Sequence, residues 1–244
     1  EILSSRREYT KLNPFVVLLG KGNHEVTSSY TEDGSGDDFD NMLSITRSNI
    51  TFCGEGKDKT TILGGFAIYT EVYDVENITF KQMTVTNTNT ASACSYPDLP
   101  NSVEVHGIYT KTAKVELIDV AIKVKKGAAL YVPHTNSETI VVATRCEFAN
   151  SFSGAIIQGA GTSATFNNCV FHDNEDDGLS ARYDSTVHLH GEATAVHSNG
   201  IGIIAYRSGT VLIHLPSNHN TSYNNRQEDR RTYAPRDTID NVED

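Results

Sequence analysis

A repeat of about two dozen residues constrains this sequence more than any other feature. Consecutive copies share one pattern of apolar residues, a cysteine and a phenylalanine: Val141-x-Ala143-x-x-Cys146-x-Phe148 and Ala164-x-Phe166-x-x-Cys169-x-Phe171. Apolar and polar residues alternating over so few positions predict half-buried β-strands. The two-residue break before each cysteine predicts a corner. A fixed period of this length predicts a solenoid, in which each coil packs on its neighbours.

Earlier copies and a column of glycines extend the pattern. The two earlier copies are Ile78-x-Phe80-x-x-Met83-x-Val85 and Val115-x-Leu117-x-x-Val120-x-Ile122. Because side chains alternate across a strand, the first and third residues after each glycine are predicted to face inward and the second and fourth outward. Leu130 and Ile157 are thus predicted inside, and Tyr131 and Gln158 at the surface. The glycines that open these strands are Gly65, Gly107, Gly127, Gly154, Gly178 and Gly202.

A second recurrence predicts one polar corner of the solenoid. His172-Asp173-Asn174, His197-Ser198-Asn199 and Tyr223-Asn224-Asn225 repeat at almost the coil period. We expect their asparagines to stack, to satisfy backbone groups of the turns and to hydrogen-bond to the next coil.

The domain organisation follows from where the period holds. Residues 1–14 are predicted to form an N-terminal cap or arm, and residues 15–225 the coils, with a loop inserted at 88–105. Residues 226–244 are polar and lack the period, which predicts a tail that caps the last coil, links to other segments or is partly disordered.

The coils resemble the right-handed parallel β-helix of the pectate-lyase-like superfamily over residues 15–225. The resemblance rests on the inward aliphatic columns, the cysteine and phenylalanine stacks and the asparagine corner. It also rests on two segments of the early coils: Asn49-Ile50-Thr51-Phe52 with Gly54-Glu55-Gly56, and Asn77-Ile78-Thr79-Phe80 with Thr84-Val85-Thr86-Asn87. It implies an all-β, single-stranded solenoid of roughly seven to nine coils with terminal caps. Members of the superfamily include polysaccharide lyases, hydrolases, esterases, adhesins and viral tailspikes, so the fold alone leaves the function open.

Charge and hydropathy restrict the partners. The formal net charge of −11 and the absence of a dense Lys/Arg field argue against a nucleic acid or an anionic membrane, and no apolar run is long enough to insert into a membrane.

Cys146 and Cys169 occupy one slot in consecutive coils, which allows a disulfide but favours stacked buried thiols. Three glycosylation sequons would suit a secreted or cell-surface protein.

The outward columns of the glycine-led strands predict a carbohydrate-binding platform. Aromatic faces stack on sugar rings, and Arg, Gln and Lys donate hydrogen bonds to sugar hydroxyls. An ordinary β-surface, which also favours tyrosine, is the competing interpretation. The candidate ligand-binding residues are Tyr69, Tyr109, Lys111, Tyr131, Gln158, Arg182 and Tyr206.

An alternative places catalysis at Asp176, Asp177, Arg182 and His190. The resemblance implies a lyase with a Ca²⁺ carboxylate cluster beside an outward base, or a hydrolase with an acidic pair, although the Asp176-Asp177 step also suits an ordinary turn. The acidic segment 32–40 could also hold Ca²⁺, with a solvated turn as the competing interpretation.

His188, His190 and His214 are expected to come close on adjacent coils. They could form a metal site or supply a general base, or they could be ordinary outward residues.

Three hypotheses remain: a protein that binds polysaccharide along its exposed sheet, a polysaccharide lyase or glycoside hydrolase, and a structural or adhesive rod without catalysis. Self-association through the terminal coils accompanies the third.

Overall fold

The computed structural model describes residues 9–28, 30–31, 38–39, 41–69, 74–88, 105–135, 137–214 and 221–242. These residues form β-strands and no helix. The strands are β1 (Phe15–Leu18), β2 (Gly22–Glu25), β3 (Tyr30–Thr31), β4 (Asp38–Phe39), β5 (Met42–Ile45), β6 (Ile50–Cys53), β7 (Thr60–Leu63), β8 (Gly65–Ile68), β9 (Val75–Asn87), β10 (Ile108–Thr110), β11 (Ala113–Val124), β12 (Ala128–Val132), β13 (Thr139–Thr144), β14 (Glu147–Ala149), β15 (Ser153–Gln158), β16 (Thr162–Asn167), β17 (Val170–His172), β18 (Asp177–Arg182), β19 (Thr186–His190), β20 (Ala195–His197), β21 (Ile201–Tyr206), β22 (Thr210–His214), β23 (Ser222–Tyr223), β24 (Glu228–Thr232) and β25 (Thr238–Asn241).

The strands stack into a right-handed parallel solenoid of about seven turns. One sheet, here called the short sheet, has the order β24-β21-β18-β15-β12-β10-β8-β5. The other strands except β3 and β4 form the long sheet, which covers the remaining faces of each coil. All pairings within these two sheets are parallel, which confirms the predicted β-helix. Terminal caps stay a prediction, and residues 1–8 lie outside the described residues.

The predicted apolar repeats form the core in the predicted register. Val115 pairs with Ile78 on one side and with Val141 on the other, and Val141 pairs in turn with Ala164. Phenylalanine rings stack along the coil axis, with the centroids of Phe148 and Phe171 4.8 Å apart. Burial of these columns supplies the main driving force for stacking one coil on the next.

The predicted corner is made by residues in the left-handed backbone region. Equivalent positions in successive coils, Gln82, Asp119, Arg145 and Asn168, have φ between 52° and 55°. A single left-handed residue turns the strand direction without a loop, at a steric cost of roughly 1–2 kcal/mol for each non-glycine residue. Arg145 offsets part of this cost by donating from Nε and Nη2 to the two carboxylate oxygens of Asp119, each at 2.8 Å.

A ladder of asparagines forms the second corner, as predicted. Asn174 Nδ2 donates to Asn199 Oδ1 at 2.8 Å, and Asn199 Nδ2 donates to Asn225 Oδ1 at 3.0 Å. The same two amide groups also donate to the carbonyl oxygens of Phe148 and Phe171. The ladder therefore satisfies the backbone of the turns and fixes the spacing of the coils.

The ladder also explains why glycines open the strands of the short sheet. A Cβ atom on Gly178 would lie 2.6 Å from Asn199 Nδ2, and one on Gly202 would lie 2.6 Å from Asn225 Nδ2. Both distances are shorter than real Cβ contacts allow, so only glycine fits where the chain leaves the ladder.

One prediction about register was wrong. Ile108 pairs with Leu130, so the strand that follows Gly127 is shifted by two residues from the glycine column. The atoms nearest to a Cβ atom on Gly127 would belong to Val105 and His106 and not to a ladder asparagine, so the ladder does not hold this glycine. Strands also follow residue 225, in the segment for which a tail is predicted: β24 pairs with β21, and β25 pairs with β22.

The remaining predictions concern the cysteines, the acidic segment, the inserted loop and membrane insertion. Cys53, Cys146 and Cys169 carry free thiols, and the Cys146 N–H donates to Cys169 Sγ at 3.5 Å, which confirms the stacked thiols. The acidic residues 32–37 and 40 and most of the inserted loop, residues 89–104, lie outside the described residues. Within the described part of the chain, no helix has the length and apolarity needed to cross a membrane.

Candidate functional site

A cleft of about 410 Å³ lies on the outward face of the short sheet, near its C-terminal end. Strands β18, β21 and β24 supply its floor, because their outward side chains are neighbours in register: Ser180 with Ile204, and Ile204 with Arg231. We call it the Asp177 cleft. Its lining residues are Asp176, Asp177, Arg182, Ile201, Ile204, Tyr206, Gln227, Arg231 and Tyr233.

Asp177 is the most unusual residue of this cleft. Its side chain is 1% exposed, and its Oδ2 accepts a hydrogen bond from Arg182 Nη2 at 2.8 Å. Its Oδ1 is buried and has no hydrogen-bond partner among the residues that the structure describes. A buried carboxylate oxygen without a donor is costly, so a proton or a hydrogen-bonding ligand would stabilise it.

Burial changes the acidity of Asp177. Loss of solvent, together with the neighbouring charge of Asp176, raises the pKa of Asp177 from 3.8 to about 6, although Arg182 acts in the opposite direction. The low polarity of the site disfavours the charged carboxylate more than the single ion pair favours it. Carboxyl groups with pKa values this close to neutrality are concentrated at functional sites.

Arg182 is held in place by its own strand. Its Nε donates to Ser180 Oγ at 2.7 Å, and this serine lies two residues earlier on the same face of β18. The backbone N–H of Arg182 donates to Ser185 Oγ at 2.9 Å. The guanidinium group is therefore held between Ser180 and Asp177. It still lines the cleft.

Tyrosine and arginine side chains form one rim of the cleft. The rings of Tyr206 and Tyr233 meet edge to face with centroids 5.3 Å apart. The Arg207 guanidinium lies over the rings of Tyr183 and Tyr206, at 4.9 Å and 5.1 Å from their centroids. These contacts, each worth roughly 0.5–1.5 kcal/mol, keep the aromatic faces oriented.

Arg231 lies on the floor of the cleft among groups that orient it. Its Nε donates to Glu228 Oε2 at 2.8 Å, its Nη2 to Gln227 Oε1 at 3.3 Å and its Nη1 to the Tyr233 hydroxyl at 3.3 Å. The hydrogen bonds to Glu228 and Tyr233 raise the pKa of Arg231, so the side chain stays a cation.

The predicted ligand-binding residues divide into two groups. Arg182 and Tyr206 line the Asp177 cleft, and Gln158 pairs with Arg182 one coil earlier. At the other end of the sheet, Tyr69 and Tyr109 are 8% and 3% exposed, so their rings offer little surface to a ligand. Lys111 is stacked on Tyr69, with its Nζ 4.4 Å from the ring centroid.

Tyr131 departs from its predicted column because of the register shift after Gly127. It pairs with Tyr109 and with Ile156, and not with Gln158. Its ring stacks on His106 with centroids 4.5 Å apart. The expected continuous ladder from Tyr69 to Tyr206 is therefore interrupted in the middle of the sheet.

Three of the four predicted catalytic residues converge, and one does not. Asp176, Asp177 and Arg182 line one cleft, whereas His190 lies on β19 in the long sheet, close to His188 and His214. Among the described residues, only those three histidines converge as potential metal ligands, so the carboxylates near Asp177 do not form the expected Ca²⁺ cluster.

Gln227, Arg231 and Tyr233 were missed because they lie in the segment predicted to be a tail. Their strand β24 lacks the glycine that opens the earlier strands, since Asp229 stands at that register position between the pairs Ile201–Glu228 and Ile203–Arg230. The recurrence of arginine and tyrosine one coil period after Tyr206 was the available signal.

Comparison with known families agrees with this architecture. A profile of the family described as "Right handed beta helix region" matches residues 106–233, which is more than half of the chain. The chain belongs to the right-handed β-helix family. A sequence comparison with curated proteins gave no match.

Solved β-helix structures similar to this chain include pectin methylesterases. A pectin methylesterase variant in complex with a hexasaccharide is 14% identical, with a TM-score of 0.46 over 100% of this chain and 87% of the other. Pectin methylesterase from Yersinia enterocolitica is 13% identical, with a TM-score of 0.46 over 98% and 91%. PemA from Erwinia chrysanthemi is 13% identical, with a TM-score of 0.44 over 99% and 86%.

The raised pKa of Asp177 predicts a pH-dependent effect of Asp177→Asn on stability. Above pH 6 the folded protein bears the cost of a buried charge, whereas below about pH 3 the residue is neutral in both the folded and the unfolded states. The free energy of unfolding of the variant, relative to that of the unchanged protein, should therefore rise by about 3 kcal/mol between pH 3 and pH 8.

Urea unfolding at a series of pH values measures this difference. Asp58→Asn is the matched control, because Asp58 is exposed and its carboxylate stays in water in both states. A difference that is constant with pH for Asp177→Asn would contradict the assignment of Asp177 as a buried, destabilised carboxylate.

Proposed function

We propose that this protein binds a carbohydrate chain in the Asp177 cleft. The observation that supports the proposal most directly is the buried Asp177 Oδ1, an acceptor to which no described residue donates, in a cleft lined by tyrosines and arginines. Sugars present hydroxyl donors around an apolar ring face, and this combination matches an acceptor beside aromatic rings.

The size and the polar groups of the cleft suit such a ligand. Its volume of about 410 Å³ falls in the range of roughly 300–1,000 Å³ that is common for small-ligand sites. Tyr206 and Tyr233 offer ring faces and edges, and Gln227 and Arg231 offer oriented polar groups. Two guanidinium groups, those of Arg182 and Arg231, also suit a sugar that carries a carboxylate, because Arg binds carboxylates through paired hydrogen bonds.

This proposal narrows the platform predicted along the whole outward sheet. Tyr69 and Tyr109 are buried, so the ligand would contact the C-terminal coils, from Gln158 to Tyr233. A polysaccharide longer than the cleft would continue along the outward face of the short sheet, past Gln158, which is the register neighbour of Arg182.

A secreted or cell-surface location follows as part of the same proposal, because extended polysaccharides occur outside cells. The sequons give it little support. Asn77 Nδ2 donates to Asn49 Oδ1 at 2.8 Å, and Asn49 Nδ2 donates to the Tyr9 carbonyl at 2.8 Å, so both amides are used within the fold. Asn220 lies outside the described residues.

Self-association through the terminal coils is also retained as a proposal. Among the described strands, β24 and β25 each pair on one side only, with β21 and β22. Their outer edges therefore offer backbone donors and acceptors to a second strand.

Tyr206→Ala and Arg231→Ala test carbohydrate binding. Each substitution removes one wall of the cleft, so affinity for the ligand should fall about tenfold or more, the equivalent of roughly 1–2 kcal/mol. A glycan array that includes acidic polysaccharides identifies the ligand, and calorimetry with an oligosaccharide of that ligand measures the affinity.

Tyr223→Ala is the matched control for this experiment. Tyr223 is a half-buried tyrosine stacked on His197 in the long sheet, away from the cleft. Its substitution should leave affinity unchanged. Binding that is equally strong in Tyr206→Ala, Arg231→Ala and the unchanged protein would refute the proposed site, and absence of any glycan binding would favour a purely structural rod.

Catalysis is the second candidate function, and one observation favours it. The pKa of about 6 would let Asp177 donate a proton to a glycosidic oxygen near neutral pH, which is the task of a general acid. Asp176 adjoins it in the cleft as a second carboxylate. The corresponding activity would be that of a glycoside hydrolase or a polysaccharide lyase acting on the bound chain.

If the cleft is catalytic, Asp177→Asn should reduce turnover at least about 100-fold while affinity for the carbohydrate changes much less. Assays for reducing ends and for unsaturated ends on acidic polysaccharides, with and without added Ca²⁺, distinguish hydrolysis from elimination. Asp58→Asn serves again as the control. Consistent absence of turnover with intact binding would leave the binding function alone.

A further inference from the structure

We propose that His188, His190 and His214 form a binding site for a first-row divalent transition metal, with Zn²⁺ as the probe. This site lies on the outward face of the long sheet, and the proposal is independent of the carbohydrate cleft on the short sheet. Each histidine offers one ring nitrogen, and these three atoms all lie within 4.8 Å of one another.

The strand geometry brings the three imidazoles together. His188 and His190 are two residues apart on β19, so both point outward while Val187 and Leu189 fill the core. His214 on β22 is the register partner of His190 in the next coil. The ring centroids of His190 and His214 are 4.1 Å apart, and those of His188 and His214 are 5.2 Å apart.

The ring nitrogens are close to the separation that a metal requires. His188 Nδ1 and His214 Nε2 are 2.9 Å apart. Two nitrogens bound tetrahedrally to Zn²⁺ at about 2.0–2.1 Å lie about 3.3 Å from each other. The pair therefore needs to open by a few tenths of an ångström, and the nitrogen of His190 lies within 4.8 Å of both. All three rings are half-buried, so the sheet already restricts them and little side-chain entropy is lost on binding.

The donor set selects the class of metal. Three imidazoles with no carboxylate or thiolate in the group, among the described residues, suit Zn²⁺, Cu²⁺ or Ni²⁺ and do not suit Ca²⁺ or Mg²⁺, which require oxygen ligands. Three protein ligands leave a fourth position open to water. Asp240 on β25, the register partner of Leu212, adds negative charge nearby.

Metal binding would join two consecutive coils. His188 and His190 belong to one coil and His214 to the next, so a shared ion would link them across the β19–β22 pair. A metal that binds only the folded protein raises its stability with concentration, and the thermal unfolding midpoint should therefore increase with added Zn²⁺.

Calorimetric titration of the untagged, chelator-treated full chain with ZnCl₂ tests the site. We expect saturable binding of one ion. His190→Gln, His188→Gln and His214→Gln should each weaken it at least about 100-fold, because each removes one of three ligands. Titration with Co²⁺ should give the visible absorption of a tetrahedral complex, and each variant should lose it.

The double variant His172→Gln/His197→Gln is the matched control. These two histidines are also stacked across neighbouring coils, with centroids 5.4 Å apart, but among the described residues no third histidine joins them as a potential metal ligand. Zinc affinity in this control should stay within about threefold of that of the unchanged protein. Absence of saturable binding, or equal affinity in His190→Gln and the unchanged chain with circular dichroism showing both folded, would overturn the proposal.

Discussion

Parallel register between successive coils is the constraint on which every other feature of this molecule depends. Backbone hydrogen bonds alone would allow a coil to slip along its neighbour. The inward apolar columns and the asparagine ladder prevent this. The inward columns permit only shifts by an even number of residues, because a slip by one residue would turn apolar side chains to solvent. The asparagine ladder prevents even shifts as well, since Asn174, Asn199 and Asn225 must lie directly above one another to share their hydrogen bonds.

The site follows from this register in its C-terminal coils. Ser180, Ile204 and Arg231 are successive members of one outward column, and Arg182 and Tyr206 belong to the next. Arg182 bends back over the small Ser180 to reach Asp177, which begins the strand just after the ladder corner. A cleft forms there because a short side chain on the floor is surrounded by long ones, and the carboxylate is buried at its edge. The parallel register of the long sheet likewise places His190 beside His214.

Much of the fold could be predicted from the sequence, and less of the site. The columns from Ile78 to Phe171 were predictable because burial follows the two-residue alternation of a strand, and the asparagine corner because its triplets recur at the coil period. The shift after Gly127 was not, because the repeat does not show that this glycine packs on Val105 and not on a ladder asparagine. The burial of Tyr69 and Tyr109 and the separation of His190 from Asp177 depend on three-dimensional neighbours that periodicity does not specify.

Disulfide cross-linking between neighbouring coils measures the register most directly. Val142 and Thr165 are outward partners on β13 and β16, so cysteines at these two positions should have Cα atoms about 4.8 Å apart and should oxidise readily, as peptide mapping would show. Cysteines at Val142 and Ser163, two residues out of register, should be about 8 Å apart and remain reduced. Efficient cross-linking of the second pair and not of the first would contradict the register, and with it the composition of the Asp177 cleft.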